Sequence, residues 1–208
     1  MRHNPAYAVE DEGVVRRLIE ENPWATIVSQ GEQGLVASHY PVLLEEGHER
    51  LTVVTHVGRP DEELHRFGGG EVLLIIAGPQ GYISPSWYAP GATPVPTWNF
   101  AVAHCYGVPL ILEADENLRV LTRLVDHFER HVERPLPLDQ EIGARVARGT
   151  VGLRLAIDRF TCKVKMNQEE DPVSRAQVLE ALKGDGPYAN PALAAEMERA
   201  LGPSAGEL

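Results

Sequence analysis

The chain has few of the residues that stabilise exported proteins or anchor a polypeptide in a membrane. Its 208 residues include two cysteines, Cys105 and Cys162, which are too few for a disulfide framework and lack the spacing of a zinc site. The longest apolar run, at residues 72–77, has six residues, whereas about 20 are needed to span a bilayer. Residues 1–12 contain no apolar stretch typical of a signal peptide. These absences predict a cytoplasmic protein that does not enter a membrane.

Positive charge is also scarce, because 19 lysines and arginines stand against 30 aspartates and glutamates, for a formal net charge of −11. Such a surface repels the phosphates of nucleic acids and of anionic lipids. Residues 145–165 are the exception, with six basic residues and one acidic residue. The basic residues are Arg145, Arg148, Arg154, Arg159, Lys163 and Lys165. This segment indicates a local site for one phosphate group, with an ordinary solvated strand surface as the alternative.

The hydrophobic pattern in the first half of the chain predicts short strands. With 43% hydrophobic and 24% charged residues, the composition is that of a folded globular protein. An amphipathic helix is predicted at residues 9–21, ended by Asn22 and Pro23. Apolar β-type runs then follow between turn residues, at residues 24–29, 34–44, 51–57, 71–77, 98–106 and 108–112. Short strands with little helix between them predict an antiparallel barrel rather than a parallel α/β sheet.

The second half of the chain begins and ends with helical patterns. An apolar helical stripe starts near residue 115 and a second helix is predicted at residues 138–148, so a helical insertion covers about 115–148. Strands are predicted at residues 151–157 and 160–166. Asp171-Pro172 and Asn190-Pro191 each place a capping side chain before a proline, which predicts two C-terminal helices. The predicted organisation is a barrel domain at residues 1–170 and a helical extension at residues 171–208.

The strand at residues 98–106 has two contrasting faces. Strand alternation places aromatic and other large residues on one face, which are Trp98, Phe100, Val102, His104 and Tyr106. The opposite face consists of Asn99, Ala101, Ala103 and Cys105. Because exposed aromatic residues at this density are uncommon, the aromatic face is predicted to pack in the core, with binding of a flat ring as the alternative.

No pattern of catalytic or metal-binding residues is evident. His127 and His131 are four positions apart on a predicted helix, a spacing that can present two imidazoles to one metal ion. No glutamate follows the first histidine and no third ligand is found, so a solvated helix face and no metal site are predicted. The titratable candidates on strands are His56, His104 and Cys105, and each is predicted to be structural. No catalytic residue is identified.

Two neighbouring motifs resemble those of a known family. Residues 78–88 read Gly-Pro-Gln-Gly-Tyr-Ile-Ser-Pro-Ser-Trp-Tyr, and residues 96–100 read Pro-Thr-Trp-Asn-Phe. Further matching segments lie at residues 35–41, 55–59, 151–152 and 163–168. With these segments, the chain from residue 4 to residue 182 resembles the PaiB family of FMN-binding negative transcriptional regulators.

The resemblance implies an antiparallel split β-barrel of the flavin-reductase and pyridoxamine-phosphate-oxidase type, an α+β fold with a helical insertion and C-terminal helices. It also implies a homodimer that binds FMN in a groove between subunits. Eight residues would then line the FMN site: Ser38 and His39 in the groove, His56 and Arg59 near the polar end of the flavin, Trp98 and Asn99 beside the ring, and Lys165 and Gln168 at phosphate or ribityl oxygens. Arginine and lysine bind phosphate, and the amides can donate to and accept from the ring edge.

Two segments depart from the family pattern. Residues 60–63 read Pro-Asp-Glu-Glu where the family has Asn-Pro, and residues 167–170 read Asn-Gln-Glu-Glu where the family has Ser-Gln-Asn-Arg. An unpaired carboxylate beside a phosphate dianion is unfavourable. The added acidic residues, among them Asp61 and Glu169, would therefore weaken FMN binding, or the site would bind a different group.

Three functional hypotheses remain open from the sequence. The first is a flavin-dependent sensor or an FMN-dependent oxidoreductase that acts as a homodimer, in which FMN carries the electrons. The second is a transcriptional regulator that acts through DNA or a partner protein, although the net charge disfavours DNA and no helix-turn-helix pattern is found. The third is a barrel that has lost its cofactor.

Overall fold

Ten β-strands and six α-helices make up the part of the chain that the structure describes, a computed structural model of residues 1–92 and 95–202. The strands are β1 (Ala8–Val9), β2 (Trp24–Gly31), β3 (Gly34–Pro41), β4 (Leu43–Leu44), β5 (Thr52–Gly58), β6 (Val72–Ile83), β7 (Thr97–Gly107), β8 (Leu110–Ile111), β9 (Thr150–Ala156) and β10 (Arg159–Lys165). The helices are α1 (Glu12–Glu21), α2 (Arg59–His65), α3 (Ala114–Glu129), α4 (Gln140–Gly149), α5 (Pro172–Lys183) and α6 (Pro191–Leu201).

The strands form two antiparallel sheets. The six-stranded sheet has the order β1-β10-β7-β6-β2-β3, and the four-stranded sheet has the order β4-β5-β9-β8. Neighbours in the chain pair at β2–β3 and at β4–β5, whereas β5 pairs with β9 from beyond the helical insertion. These pairings confirm the prediction of antiparallel sheets interrupted by an insertion of two helices.

The chain divides into two compact units. The larger unit comprises Asp11–Ile76 and Ala103–Phe160, and the smaller unit comprises Met1–Glu10, Ala77–Val102 and Thr161–Leu208. Strands β6, β7 and β10 each contribute residues to both units. The boundary at residue 170 between a barrel domain and a C-terminal extension stays a prediction.

In the larger unit, helix α3 packs on the four-stranded sheet through its apolar face. The buried cluster that joins them consists of Leu43, Val54, Leu112, Val120 and Leu124. Burial of each of these side chains contributes roughly 1.5–3 kcal/mol. The apolar stripe predicted for this helix is confirmed, and it fixes α3 against β5.

In the smaller unit, helices α5 and α6 begin as predicted, with a capping side chain followed by a proline. The Asp171 carboxylate accepts hydrogen bonds from the backbone N–H groups of Val173 and Ser174 at 2.9 and 3.0 Å. The Asn190 side chain accepts one from the N–H of Leu193 at 3.0 Å. The prolines occupy the first helical position, where no N–H is needed. Both helices bury apolar side chains, namely Val178, Leu182, Leu193 and Met197.

Strand β7 buries the opposite face from the one predicted. Asn99 and Ala103 are 0% exposed, whereas Trp98 is 54% exposed. Phe100 and Tyr106 on the aromatic face are half-buried. The prediction that the aromatic face packs in the core was therefore wrong. Small side chains allow the strand to approach its neighbours closely, and the larger rings are left on the outer surface.

Candidate functional site

His56 and Arg59 lie at the junction between β5 and α2, in the larger unit. His56 is half-buried, its Nδ1 atom is buried without a hydrogen-bond partner, and burial lowers the pKa of its imidazole. Arg59 is exposed, and its Nε donates to the backbone carbonyl of Arg148 at 2.9 Å. Within residues 1–92 and 95–202 no carboxylate pairs with Arg59. The two terminal nitrogens of its guanidinium can therefore receive an anion.

Asn117, on α3, holds the segment to which Arg59 is bonded. Its Nδ2 donates to the backbone carbonyls of Ala147 and Thr150 at 3.2 and 3.1 Å, at the junction between α4 and β9. Asn117 is 2% exposed, and its Oδ1 has no partner. Because Arg148 lies between these two carbonyls, Asn117 and Arg59 contact the same turn of the chain.

Ser38 and His39 are adjacent on β3 and therefore face opposite sides of the sheet. Ser38 is half-buried, and its hydroxyl lies 2.9 Å from Nε2 of His65. His39 is exposed, its Nδ1 lies 2.9 Å from the Thr26 hydroxyl, and its ring stacks on Trp24 with centroids 6.3 Å apart. A ligand on one face of β3 meets only one of the two predicted side chains.

Trp98 and Asn99 begin β7 in the smaller unit and also face opposite sides. The indole of Trp98 is exposed, whereas Asn99 is fully buried, and neither its Nδ2 nor its Oδ1 has a hydrogen-bond partner among the residues that the structure describes. Leaving a buried amide unsatisfied costs about 1–3 kcal/mol for each polar group. Asn99 is therefore a group that only a further polar partner would satisfy.

Lys165 and Gln168 differ in how far the protein already uses them. Lys165 Nζ donates to the Thr97 hydroxyl and to the Trp98 carbonyl, the latter at 3.4 Å. Gln168 Nε2 donates to the Val164 carbonyl at 2.7 Å, and its Oε1 accepts from the N–H of Met166 at 2.5 Å. The amide of Gln168 thus shapes the turn after β10, and the predicted contact with FMN would compete with these bonds.

The basic segment at residues 145–165 contains both paired and unpaired cations. Arg154 binds Glu45 at 2.5 Å and Glu116 at 3.2 Å, and Arg159 binds Glu71 at 2.6 Å. The four other basic residues of this segment have no carboxylate partner in the described ranges; they are Arg145, Arg148, Lys163 and Lys165. The ammonium of Lys163 lies 5.4 and 5.5 Å from two ring centroids, those of Tyr7 and Phe100. An anion-binding role is therefore open to the unpaired cations.

Two of the acidic residues that depart from the family pattern, Asp61 and Glu169, have hydrogen-bond partners. The hydroxyl of Tyr40 donates to the Asp61 carboxylate, and that of Tyr7 donates to the Glu169 carboxylate. Burial, followed by the hydrogen bond and charge of Glu169, raises the pKa of Tyr7 to about 12. Neither carboxylate is the unpaired group that the sequence led us to expect.

His127 lies on α3, but His131 lies beyond the end of the helix, contrary to the prediction that one helix carries both, and it is hydrogen-bonded to a neighbouring arginine. The rings of His127 and His131 lie 6.4 Å apart, and Nε of Arg130 donates to Nε2 of His131 at 3.1 Å. In the ranges that the structure describes, no group of three histidine, cysteine, aspartate or glutamate side chains is arranged to hold a metal ion. Nor does any described helix have the length and apolar character needed to cross a membrane.

Sequence reasoning missed His65 and Asn117, the two buried polar residues that support predicted site residues. His65 ends α2, a helix of seven residues with too few apolar positions to show a period. Pro60, near its start, was the one available indication of a helix. Asn117 lies in the first turn of α3, where polar residues are expected at the surface, so its burial could not be predicted.

The fold has solved relatives among flavin proteins. The flavocytochrome Anf3 from Azotobacter vinelandii matches with a TM-score of 0.62 at 16% identity, over 85% of this chain and 78% of that chain. The FAD and heme binding protein from Mycobacterium smegmatis matches with a TM-score of 0.59 at 16% identity, over 81% and 78%. The fold is the split β-barrel, as predicted.

The family follows from the sequence comparisons. Residues 1–159 match the family model described as "Putative FMN-binding domain", and the chain belongs to that family. It is 27% identical over 171 residues to protease synthase and sporulation protein PAI 2 of Bacillus subtilis (strain 168), which covers 80% of this chain and 82% of that protein. The predicted family and the predicted cofactor, FMN, are confirmed. The chain is an FMN-binding split-barrel protein.

The residues of the site fit the chemistry of FMN. A phosphate dianion needs cations that no carboxylate neutralises. Among the described residues, Arg59 meets this condition in the larger unit and, taken separately, Lys165 meets it in the smaller unit. A flat ring needs an exposed planar surface and polar groups in need of partners, which Trp98 and Asn99 offer. When bound, FMN supplies reversible electron transfer.

Proposed function

We propose that this protein is a homodimeric, flavin-dependent sensor or oxidoreductase. The residues proposed to hold FMN are those of the sequence prediction, namely Ser38, His39, His56, Arg59, Trp98, Asn99, Lys165 and Gln168. The protein binds and orients the flavin, and FMN carries the electrons, so a catalytic side chain is not required.

One observation carries the proposal. At the end of β5, His56 has a ring nitrogen without a hydrogen-bond partner, and Arg59 has a guanidinium without a carboxylate partner, both among the described residues. Arg59 keeps two terminal nitrogens for an anion, and His56 Nδ1 is three residues away in the chain. Charge-assisted hydrogen bonds from arginine to phosphate are among the strongest in proteins. We therefore assign the phosphate end of FMN to Arg59 and His56.

The first prediction concerns Arg59→Gln, which removes the positive charge and leaves a polar side chain. We expect FMN affinity to fall about 10- to 100-fold, since a hydrogen bond to a charged group contributes roughly 1.5–3 kcal/mol. Riboflavin, which has no phosphate, should bind both proteins equally. Calorimetric titration with each ligand measures the two affinities.

Arg16→Gln is the matched control, because Arg16 is an arginine of the same unit that binds Glu46 at 2.6 Å on the surface. It should leave FMN affinity unchanged. Equal losses of FMN and riboflavin affinity in Arg59→Gln would contradict the phosphate assignment. Absence of flavin absorbance in the purified protein, with no binding at micromolar FMN, would contradict the proposed function itself.

The homodimer is supported by the outer face of β7. Trp98 is half exposed and Phe100 is half-buried, and aromatic surface of this kind is enriched at interfaces between subunits. Sedimentation equilibrium at micromolar concentration tests this point. A monomer, with or without FMN, would contradict it.

A regulatory role is the second candidate, and a single observation favours it. The relative from Bacillus subtilis has the name of a protease synthase and sporulation protein, which is consistent with a role in the control of other proteins. The net charge of −11 opposes direct contact with DNA. A gel-shift titration at two salt concentrations tests DNA binding, since direct binding would weaken steeply as salt is added. The cytoplasmic location stays a prediction.

A further inference from the structure

Three polar side chains form a continuous chain of hydrogen bonds at β3, in the larger unit. His65, at the end of α2, is 1% exposed. Its Nδ1 lies 2.8 Å from the Ser29 hydroxyl, and its Nε2 lies 2.9 Å from the Ser38 hydroxyl. The Ser29 hydroxyl also lies 3.0 Å from the backbone carbonyl oxygen of His65. Phe67 stacks on the imidazole, with centroids 4.6 Å apart and planes 8° apart.

The number of protons fixes the direction of each hydrogen bond. A carbonyl oxygen only accepts, so Ser29 donates its one hydroxyl proton to the His65 carbonyl. Nδ1 of His65 must then donate to the Ser29 oxygen. Burial lowers the pKa of His65 and favours the neutral imidazole, which has one N–H. Nε2 is therefore an acceptor, and Ser38 donates its hydroxyl proton to it.

The opposite tautomer leaves one of these contacts without a proton. If Ser29 donated to Nδ1, its oxygen would face the His65 carbonyl oxygen at 3.0 Å with no hydrogen between them. Two buried acceptors at that separation repel each other and lose the hydrogen bond that the first tautomer makes. The geometry therefore favours the tautomer with the proton on Nδ1.

We propose that His65 is a positioning residue that makes Ser38 a hydrogen-bond acceptor toward FMN. Because the Ser38 hydroxyl donates its one hydrogen to Nε2 of His65, only the lone pairs of the Ser38 oxygen are left for a ligand. Ser38 thus takes an N–H or O–H group, such as the imide N–H of the flavin ring or a ribityl hydroxyl, and rejects a carbonyl or phosphate oxygen. This inference rests on the proposed function, in which Ser38 is one of the FMN residues.

The tautomer can be measured without any ligand. Two-bond ¹H–¹⁵N correlation spectra of the protein at alkaline pH distinguish a protonated Nδ1 from a protonated Nε2, and His65→Gln assigns the signals by their loss. We expect the proton on Nδ1. A proton on Nε2 overturns the inference, whether or not FMN binds.

The positioning role is tested by FMN titration of the wild type, Ser38→Ala, His65→Phe and the double variant. Ser38→Ala loses one neutral hydrogen bond to the ligand, and His65→Phe loses the acceptor that fixes the direction of the Ser38 hydroxyl, so we expect FMN affinity to fall about 3- to 10-fold in each. Because His65 acts through Ser38, the double variant should bind FMN no more weakly than Ser38→Ala. Losses that multiply, or an unchanged affinity in Ser38→Ala, overturn the inference.

A second variant keeps the test decisive if His65→Phe fails to fold. The side-chain carbonyl of His65→Gln can still accept the Ser38 proton, so its FMN affinity should lie within about 3-fold of the wild type. A loss in His65→Gln as large as in Ser38→Ala overturns the role of His65. Failure of the wild type to bind FMN overturns the proposed function instead, and the tautomer measurement still decides the polarity of Ser38.

Discussion

Two of the carboxylates that depart from the family pattern are hydrogen-bonded to tyrosine hydroxyls. The Asp61 carboxylate accepts a hydrogen bond from the Tyr40 hydroxyl, and the Glu169 carboxylate accepts one from the Tyr7 hydroxyl. The raised pKa of Tyr7 keeps that phenol a donor at any physiological pH. A charge-assisted hydrogen bond of this kind lowers the cost of a carboxylate in a partly buried place. Asp61 and Glu169 keep their negative charge, but neither is an unpaired carboxylate, so the cost that the sequence predicted for an unpaired group does not apply to them.

Removal of one phenol tests this account of Asp61. Tyr40→Phe leaves the carboxylate without its donor, and we expect the free energy of unfolding to fall by about 1–2 kcal/mol, as for other hydrogen bonds to charged groups. Urea denaturation measures the change. Tyr82→Phe is the control, because the Tyr82 ring lies tilted against the ring of Tyr188, with centroids 5.0 Å apart, and its hydroxyl has no hydrogen bond among the described residues. Equal losses in the two variants would contradict the role of Asp61.

The histidines predict how stability depends on pH. Burial lowers the pKa of His65 and of His56 below the ordinary value of about 6.5. Below that value the unfolded chain binds protons that the folded protein resists, so stability is complete above about pH 6.5 and declines as the pH falls. Thermal unfolding from pH 8 to pH 5 should show this decline. It should be shallower in His65→Gln, and identical slopes would contradict the assignment.

At the scale of secondary structure, periodic patterns predicted most elements and their order. Helix α3 was predicted from its apolar face. The starts of α5 and α6 were each predicted from a dipeptide in which a capping residue precedes a proline. Strand β6 was predicted to end at residue 77, because the composition of the Gly-Pro-Gln-Gly segment that follows is typical of a turn. In the structure the strand continues through that segment to Ile83. Local composition cannot show that a neighbouring strand offers backbone partners beyond such a segment.

The candidate site was predictable only in part, because its residues depend on tertiary packing. The family resemblance supplied Arg59 and His56, and the structure places them at one junction. Strand alternation could have shown that Ser38 and His39 face opposite ways. No periodicity indicates that His65 lies beneath Ser38, since that contact joins residues 27 positions apart.

The junction between α4 and β9 provides a test at this scale. Asn117→Ala removes the hydrogen bonds from a buried amide to the carbonyls of Ala147 and Thr150, so we expect a loss of about 2 kcal/mol in the free energy of unfolding. Thr122→Ala is the matched control on the same helix, because its hydroxyl bonds only to the Leu118 carbonyl of α3. Chemical denaturation compares the two, and equal losses would contradict a special role for Asn117.

At the scale of the whole molecule, the C-terminal helices α5 and α6 belong to the smaller unit. They lie outside the family match to residues 1–159, yet they contact the motif at residues 78–88. Asn190 donates to the Gln80 carbonyl at 2.9 Å, and the ring of Tyr188 packs near Tyr82. The motif that carries the family resemblance is thus packed against residues beyond the family match.

A single added methyl group tests this packing. The Cβ of Gly81→Ala would lie 2.9 Å from Cδ2 of Leu193 and 3.3 Å from Nδ2 of Asn190. We expect a loss of about 1 kcal/mol or more in the free energy of unfolding, as for other overpacked sites. Gly70→Ala is the control, since no atom lies within 4 Å of its added Cβ. An unchanged free energy of unfolding in Gly81→Ala would show that α6 does not pack closely against the motif.

The exposed tryptophans allow the position of a bound flavin to be followed by intrinsic fluorescence. Trp24 and Trp98 are 63% and 54% exposed, so their fluorescence without ligand should resemble that of indole in water. Flavins absorb light at the wavelengths that indole emits, and energy transfer over a few ångströms is nearly complete. A flavin bound beside Trp98 would quench the fluorescence of that indole, and a residual signal would remain from indoles farther from the flavin. Loss of the quenched fraction in Trp98→Phe would then report the position of the ring without a crystal.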